Sequence, residues 1–203
     1  DHKGESIVYG DTDSVYFSAF KTLQKEIKEG IIPWTKDSVV ALYDKIADEV
    51  NGSFKSFMTR AFHTPSTRGE VIAAGRELVA SKGLFITKKR YAVLYYDKEG
   101  KRADVEGKDG KMKAMGLDLK RSDTPVFVQD FLSEVLYMVL QGKDEKIVLD
   151  RISEFRAEFK AMPGWEKGSP KRANNMTKYT AAEEKAGRAN MPGHVRASMN
   201  WNR

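Results

Sequence analysis

Ile7-Val8-Tyr9-Gly10-Asp11-Thr12-Asp13-Ser14-Val15-Tyr16-Phe17 sets two short apolar runs around an acidic centre. β-Branched and aromatic residues on both sides read as strands, and Gly10 suits the close turn between them. The stretch therefore predicts a hairpin with Asp11 and Asp13 at its tip. Residues i and i+2 of a strand point the same way, so the two carboxylates can converge on one point. Two carboxylates held together repel and drive one pKa up, a penalty that a hard divalent cation such as Mg²⁺ removes. The same residues also suit a plain Asx-rich turn without a ligand.

Working outward, residues 21–35 read as a connection ending at Pro33-Trp34, after which Thr35 or Asp37 can cap a helix. Val39, Tyr43, Ile46, Val50, Phe54, Phe57 and Met58 recur at three- and four-residue steps and predict a core helix over residues 37–62. Pro65 to Gly69 breaks it. Residues 70–80 and 84–97 have the composition of two strands, and Asp97-Lys98-Glu99-Gly100 that of a turn. Residues 101–112 are polar and glycine-containing, as in an exposed hairpin or loop. Thr124-Pro125 marks a boundary, with threonine as cap and proline tolerated at the first helical position. Phe127, Phe131, Leu132, Val135, Leu136 and Val139 then mark one helix closed by Gly142. Ile147, Ile152, Phe155 and Phe159 mark a second, ending at Met162-Pro163-Gly164, and the two should pack as a hairpin. From residue 163 onward the chain is glycine-rich, basic and weakly periodic, a tail that would order best against a ligand.

The 203 residues carry a net charge of +6, and its distribution says more than the total. Residues 82–123 hold 12 Lys and Arg against 7 Asp and Glu, and residues 162–203 hold 8 against 3, so the excess lies in two blocks. A polyanion such as nucleic acid is the partner such blocks suit. The absence of cysteine excludes disulfides and thiolate metal sites and suits an intracellular protein. No apolar run approaches a membrane span, and Asp1-His2-Lys3-Gly4-Glu5 is neither signal peptide nor natural initiator, so the chain is expected to begin mid-protein. His2, His63 and His194 show no zinc spacing, and no P-loop, dinucleotide fingerprint or nucleophile elbow is present.

Tyr9-Gly10-Asp11-Thr12-Asp13-Ser14 between apolar runs resembles the palm carboxylate hairpin of family B DNA-directed DNA polymerases. Arg76-Glu77-Leu78-Val79-Ala80 resembles the strand carrying that family's further active-site carboxylate, and Lys88-Lys89-Arg90-Tyr91 its basic-aromatic strand beside primer and template. Lys113-Ala114-Met115-Gly116-Leu117-Asp118, followed by Lys120-Arg121-Ser122-Asp123-Thr124-Pro125, resembles the passage from palm to thumb. Ala173-Asn174-Asn175 with Lys178-Tyr179, and His194-Val195-Arg196 before Asn202-Arg203, are similar to thumb segments of T-even-type bacteriophage polymerases. The resemblance is collinear over nearly the whole chain.

It implies an α+β fold: the C-terminal part of a polymerase palm, an antiparallel sheet with a packed helix, over residues 1–123, then a mostly helical thumb over 124–203, incomplete at its C-terminus. It implies catalytic roles for Asp11, Asp13 and Glu77, with Asp13 the direct ligand of Mg²⁺, Asp11 a weaker or water-mediated one, and Glu77 orienting a metal-bound water or the hairpin. Two such ions in the complete enzyme, about 3.5–4 Å apart, would stabilise nucleophile and pyrophosphate. Lys88, Lys89, Arg90 and Tyr91 would meet DNA. On a strand Lys89 and Tyr91 share one face, suited to minor-groove acceptors and to the primer-terminal sugar. Lys113, Lys120 and Arg121 would contact the backbone, and Lys171, Arg172, Asn174, Asn175, Lys178, Tyr179, His194 and Arg196 would grip the duplex.

The implied partners are primer-template DNA, dNTP and the N-terminal palm, fingers and exonuclease portion, with a sliding clamp as a further candidate and no membrane. The other palm aspartate, the fingers helix and the exonuclease carboxylates have no counterpart here, so the chain is expected to be a C-terminal piece that incorporates no dNTP alone, in the cytoplasm of a host cell if viral. Two other functions would use the same residues: a non-catalytic nucleic-acid-binding module, and a metal-dependent phosphohydrolase on Asp11, Asp13 and Glu77.

Overall fold

The computed structural model describes residues 6–69, 71–105, 107–171, 179 and 191–201. It is α+β and divides into two compact units: Asp1–Leu117 with Glu134–Leu149, and Asp118–Ser133 with Asp150–Arg203.

In the first unit, β1 (Ile7–Gly10) and β2 (Val15–Phe17) form the expected antiparallel hairpin. The chain reverses over Asp11–Ser14, closed by the Asp11 N–H on the Ser14 carbonyl at 2.9 Å. Gly10 pairs with Val15 inside the ladder, and a Cβ there would meet only the Ser14 carbonyl at 3.9 Å, so the turn does not require glycine. The ladder shifts between Ile7 and Tyr9 and sets Tyr9 opposite Tyr16.

After the short α1 (Gln24–Lys28), α2 runs from Lys36 to Phe62. Thr35 is its cap: its hydroxyl accepts the Ser38 N–H at 3.2 Å, and the Ser38 hydroxyl accepts the Thr35 N–H at 2.9 Å. Only the N-terminal half of the apolar stripe is core. Val39 is buried with Val79 and Tyr96 against Trp34, Val40 and Tyr43, whereas Val50, Phe57 and Phe62 are exposed. The turn-length α3 (Ser66–Gly69) crosses α2 where Gly69 leaves no room for a side chain, since a Cβ would lie 2.8 Å from the Lys55 Cα.

The main sheet is built on β4 (Arg90–Lys98), buried from Tyr91 to Leu94 and again at Tyr96 and Asp97. β3 (Leu78–Thr87) pairs along one edge, and β5 (Lys101–Arg102) and β6 (Lys111–Met115) share the other, all antiparallel. The strand expected over 70–80 starts instead at Leu78, runs through Gly83 and ends at Thr87. Gly83 does not break the strand; it makes room for the Phe85 ring, whose edge would be 2.8 Å from a Cβ at that position. The reversal falls at Lys88-Lys89. The expected loop over 101–112 holds a two-residue strand and an excursion that returns at Gly110, where a Cβ would be 2.3 Å from the Tyr95 carbonyl oxygen.

The second unit opens with a 3₁₀ turn (Asp118–Lys120) that leads to Thr124-Pro125 and α4 (Val126–Gln141), of which the part to Ser133 counts with this unit; the rest of α4 and the start of α5, to Leu149, count with the first. Thr124 does not cap with its hydroxyl, which donates to the Asp118 carbonyl at 3.0 Å. The Pro125 carbonyl receives the first helical N–H groups, those of Val128 and Gln129. α5 (Glu145–Ala161) returns against α4 as expected, and the Phe131 and Phe155 rings stack face to face at 3.7 Å between centroids. In the tail, whose sequence is only weakly periodic, α6 (Gly193–Trp201) forms and buries Val195.

Candidate functional site

Four aromatic rings join the first hairpin to the main sheet. Tyr9 and Tyr16, opposite each other across β1 and β2, pack on Phe85 and Tyr91, themselves opposite across β3 and β4, with centroids 5.3–5.5 Å apart. The Tyr16 hydroxyl donates to that of Tyr91 at 3.2 Å. Burial, this bond and the nearby Glu77 charge hold the Tyr16 phenol well above its ordinary pKa. The Phe85 ring lies over the space that Gly83 leaves. Tyr91 is thus buried within the junction.

The junction fixes the turn at Lys88-Lys89. Lys89 is left-handed, with φ 62°, a conformation costly for a residue with a Cβ. Its N–H donates to the Tyr9 hydroxyl at 2.9 Å. Its carbonyl oxygen lies where a Gly116 Cβ would be, 2.1 Å away, and Gly116 itself has φ 63°. The Arg90 Nε donates to the Gly116 carbonyl at 3.1 Å. Three of the stretches singled out in the sequence therefore meet at one place: Tyr9, Lys89 and Gly116. The expectation that Lys89 and Tyr91 share a strand face is corrected, because Lys88 and Lys89 are the exposed tip of a hairpin and β4 begins at Arg90.

The acidic turn lies close enough to feel the basic one. Asp11 Oδ1 accepts the Thr12 N–H at 2.9 Å and the Thr12 hydroxyl at 3.3 Å, and Oδ2 receives a long 3.4 Å bond from Tyr9. The Thr12 N–H bond, together with the charges of Lys89 and Lys88, holds the Asp11 carboxyl below its ordinary pKa. Asp13 is exposed in the same turn and accepts no hydrogen bond from another described residue. Neither aspartate is on a strand, so strand alternation does not align them.

Glu77 belongs to the same unit, just before β3, and its Oε1 pairs with the Lys113 Nζ at 2.7 Å. The β4–β6 register sets Met115 opposite Tyr91 and Lys113 opposite Val93, which places Lys113 on the Tyr91 face of the sheet. Among the described residues no three His, Cys, Asp or Glu side chains gather as a metal-holding group. The donors fit a hard divalent cation in part: two carboxylates two residues apart on an exposed turn, with oxygen ligands only. Glu77 is engaged by Lys113 instead of joining them.

The remaining candidates divide. In the second unit Arg121 is flanked by Asp123 at 2.9 Å and Asp118 at 3.8 Å, and the Arg121 hydrogen bond lowers the Asp123 pKa to about 2. Lys120 ends the 3₁₀ turn. Lys171 is exposed and adds to the field on Asp123, Tyr179 is half-buried, and His194 and Arg196 lie exposed on α6, where Arg196 Nη2 donates to the Met191 carbonyl at 3.4 Å. Arg172, Asn174, Asn175 and Lys178 lie outside the described residues, as do Asn202 and Arg203.

Sequence reasoning missed Phe85, Gly83, the contact made by Gly116, and Arg76 with Asp97. Two signals were available: a glycine inside an apolar strand, and an aspartate ending the run Tyr91-Ala92-Val93-Leu94-Tyr95-Tyr96.

The model of DNA polymerase family B matches residues 70–186. The DNA-directed DNA polymerase of Escherichia phage RB69 is 33% identical over 213 aligned residues, covering 99% of this chain and 22% of that protein. That of Enterobacteria phage T4 is 28% identical over 182 residues, covering 85% and 20%. The DNA polymerase alpha catalytic subunit of Oxytricha trifallax is 27% identical over 158 residues, covering 76% and 8%. The chain spans about a fifth of the length of the two phage relatives. No helix among the described residues is long and apolar enough to cross a membrane.

Proposed function

The chain belongs to DNA polymerase family B, and on that premise we propose that it supplies part of the nucleotidyl-transfer site and the primer-template grip of a phage-type replicative polymerase. Residues 1–123 form the C-terminal part of the palm and residues 124–203 the thumb. The observation that carries the reading is the meeting of Tyr9, Lys89 and Gly116, which brings an acidic turn and a basic turn together on a rigid aromatic base.

In this reading Asp13, exposed and accepting no hydrogen bond from another described residue, offers its oxygens to Mg²⁺, and Asp11, already hydrogen-bonded to Thr12 and Tyr9, takes the weaker role. Bound Mg²⁺ supplies Lewis-acid stabilisation of the charge that develops as the primer 3′-hydroxyl displaces pyrophosphate from a dNTP. The other palm aspartate comes from the N-terminal portion of the polymerase. Lys88, Lys89 and Arg90, exposed at one tip, meet the duplex, and buried Tyr91 holds that tip from beneath. Lys120 and Arg121, with Lys113 if it leaves Glu77, contact the backbone, and Lys171, Arg172, Asn174, Asn175, Lys178, Tyr179, His194 and Arg196 extend the grip along the thumb.

The test is primer extension by this chain alone and mixed with a polypeptide carrying the N-terminal palm and fingers. The expected outcome is no incorporation alone, and incorporation in the mixture that Asp13→Ala abolishes. Extension by the chain alone, or extension in the mixture that survives Asp13→Ala, contradicts it. The engagement of Glu77 by Lys113 favours one rival, a non-catalytic nucleic-acid-binding module. That rival requires duplex binding unchanged in the double variant Asp11→Asn/Asp13→Asn and no extension in any mixture.

A further inference from the structure

Arg76 precedes Glu77 in the extended stretch that enters β3, and its guanidinium side chain is 10% exposed. Its Nε donates to Oδ1 of Asp44 on α2, and Nη2 lies 3.4 Å from Oδ2 of the same carboxylate. Its Nη1 donates to Oδ1 of buried Asp97 on β4 at 2.6 Å. That same Asp97 oxygen accepts the Gly100 N–H at 3.1 Å, and the neighbouring Glu99 N–H reaches the Glu77 carbonyl at 2.9 Å. Glu99 and Gly100 are both left-handed, with φ 51° and 79°, so the β4–β5 turn delivers the two N–H groups side by side. Burial opposes the charge on Arg76, and the bonds to Asp44 and Asp97 outweigh it.

Residues 76 and 77 are therefore held by α2 on one side and by the β4–β5 turn on the other. None of these bonds uses the Glu77 carboxylate, which is left to Lys113 on β6 at 2.7 Å. We propose that Arg76 is a positioning residue for Glu77: its forked guanidinium fixes the backbone so that this carboxylate is presented on the sheet face that carries Tyr91 and Lys113. The need for a carboxylate there rests on the nucleotidyl-transfer reading above; the positioning itself does not. Lysine cannot replace arginine fully, because a single ammonium cannot fork across two carboxylates in a fixed plane.

The test uses the ¹⁵N-labelled 203-residue chain and two readouts, amide hydrogen exchange and the lysine ammonium NMR signal. In Asp44→Asn, which removes the half-exposed arm of the fork, the melting midpoint should move by less than about 4 °C. The Glu99 amide should nevertheless exchange at least about tenfold faster while Val93 and Leu94 stay protected, and the Lys113 ammonium signal should broaden away. Arg76→Lys should fall between wild type and Arg76→Met, and if Arg76→Met does not fold the other two variants still decide. Unchanged Glu99 exchange and Lys113 signal in both Asp44→Asn and Arg76→Lys would overturn the proposal. So would a uniform loss of protection in step with the melting midpoint, the mark of a plain strut. Neither readout contains DNA or metal, so a failed primer extension removes the functional reading and leaves this result standing.

Discussion

Two aspartates of the first unit sit near hairpin turns, and the fold treats them in opposite ways. Asp97, beside the β4–β5 turn, is 2% exposed and is neutralised within the chain by Arg76, with the Gly100 N–H completing its partners. Asp13, in the β1–β2 turn, is exposed and accepts no hydrogen bond from another described residue, while nearby Asp11 feels the charges of Lys88 and Lys89. A carboxylate neutralised internally is a structural group. One exposed in a turn with no such internal partner among the described residues is the kind of group that the proposed metal role requires. The same contrast separates two glycines: Gly116 is indispensable to the contact at the site, and Gly10, in the more conspicuous motif, is not.

The largest effects should fall on the internal side of this contrast. Asp97→Ala breaks a buried pair and is expected to cost about 3–5 kcal/mol in urea unfolding, whereas Asp13→Ala should stay within about 0.5 kcal/mol. Equal losses would break the comparison. Next, Gly116→Ala forces a left-handed backbone and a collision with the Lys89 carbonyl, and should cost at least about 2 kcal/mol, against near neutrality for Gly10→Ala. Tyr9→Phe removes the acceptor of the Lys89 N–H and should cost about 0.5–1 kcal/mol, with faster exchange of that amide as the local readout.

The smallest effect is a pH dependence. The carboxyls of Asp123 and Asp104 are held below their ordinary values, first by hydrogen bonds to Arg121 and Arg102 respectively, and that of Asp123 lies at about 2. A depressed folded-state pKa gives stability that is present above the unfolded value of about 4 and is lost as pH falls through the folded one. Melting midpoints should therefore decline from about pH 4 toward pH 2, with a shallower slope in Asp123→Asn. An unchanged slope would show that the pair with Arg121 adds nothing to folding.

The helices were legible because their signals are local and redundant. The pair of cap candidates, Thr35 and Asp37, before an apolar repeat marks α2 to within one residue, with Thr35 the one the structure uses, and the spaced phenylalanines mark the α4–α5 hairpin. What local pattern could not show was where the sheet reverses. Residues 81–83 fall between the two expected strands because the packing of the Phe85 ring over Gly83 is not reported by composition, and Lys88-Lys89 reads as strand because the left-handed turn at Lys89 is held by Tyr9 and accommodated by Gly116, both distant in sequence. The outer half of the α2 stripe showed periodicity without burial, since periodicity reports a face and not what covers it. Around the acidic turn, the link from Asp11 through the Tyr9 hydroxyl to the Lys89 N–H is a long-range pairing that no spacing rule encodes.

The central claim is that the open carboxylate of Asp13 and the basic turn at Lys88-Lys89 face one ligand-binding spot. A Mn²⁺ titration of the ¹⁵N-labelled chain measures this directly, because paramagnetic broadening reports distance from the bound ion. Broadening centred on Thr12, Asp13 and Ser14, reaching the amides of Lys88 and Lys89 and lost in Asp13→Asn, is the expected result. Broadening centred elsewhere, or undiminished in Asp13→Asn, would contradict the account.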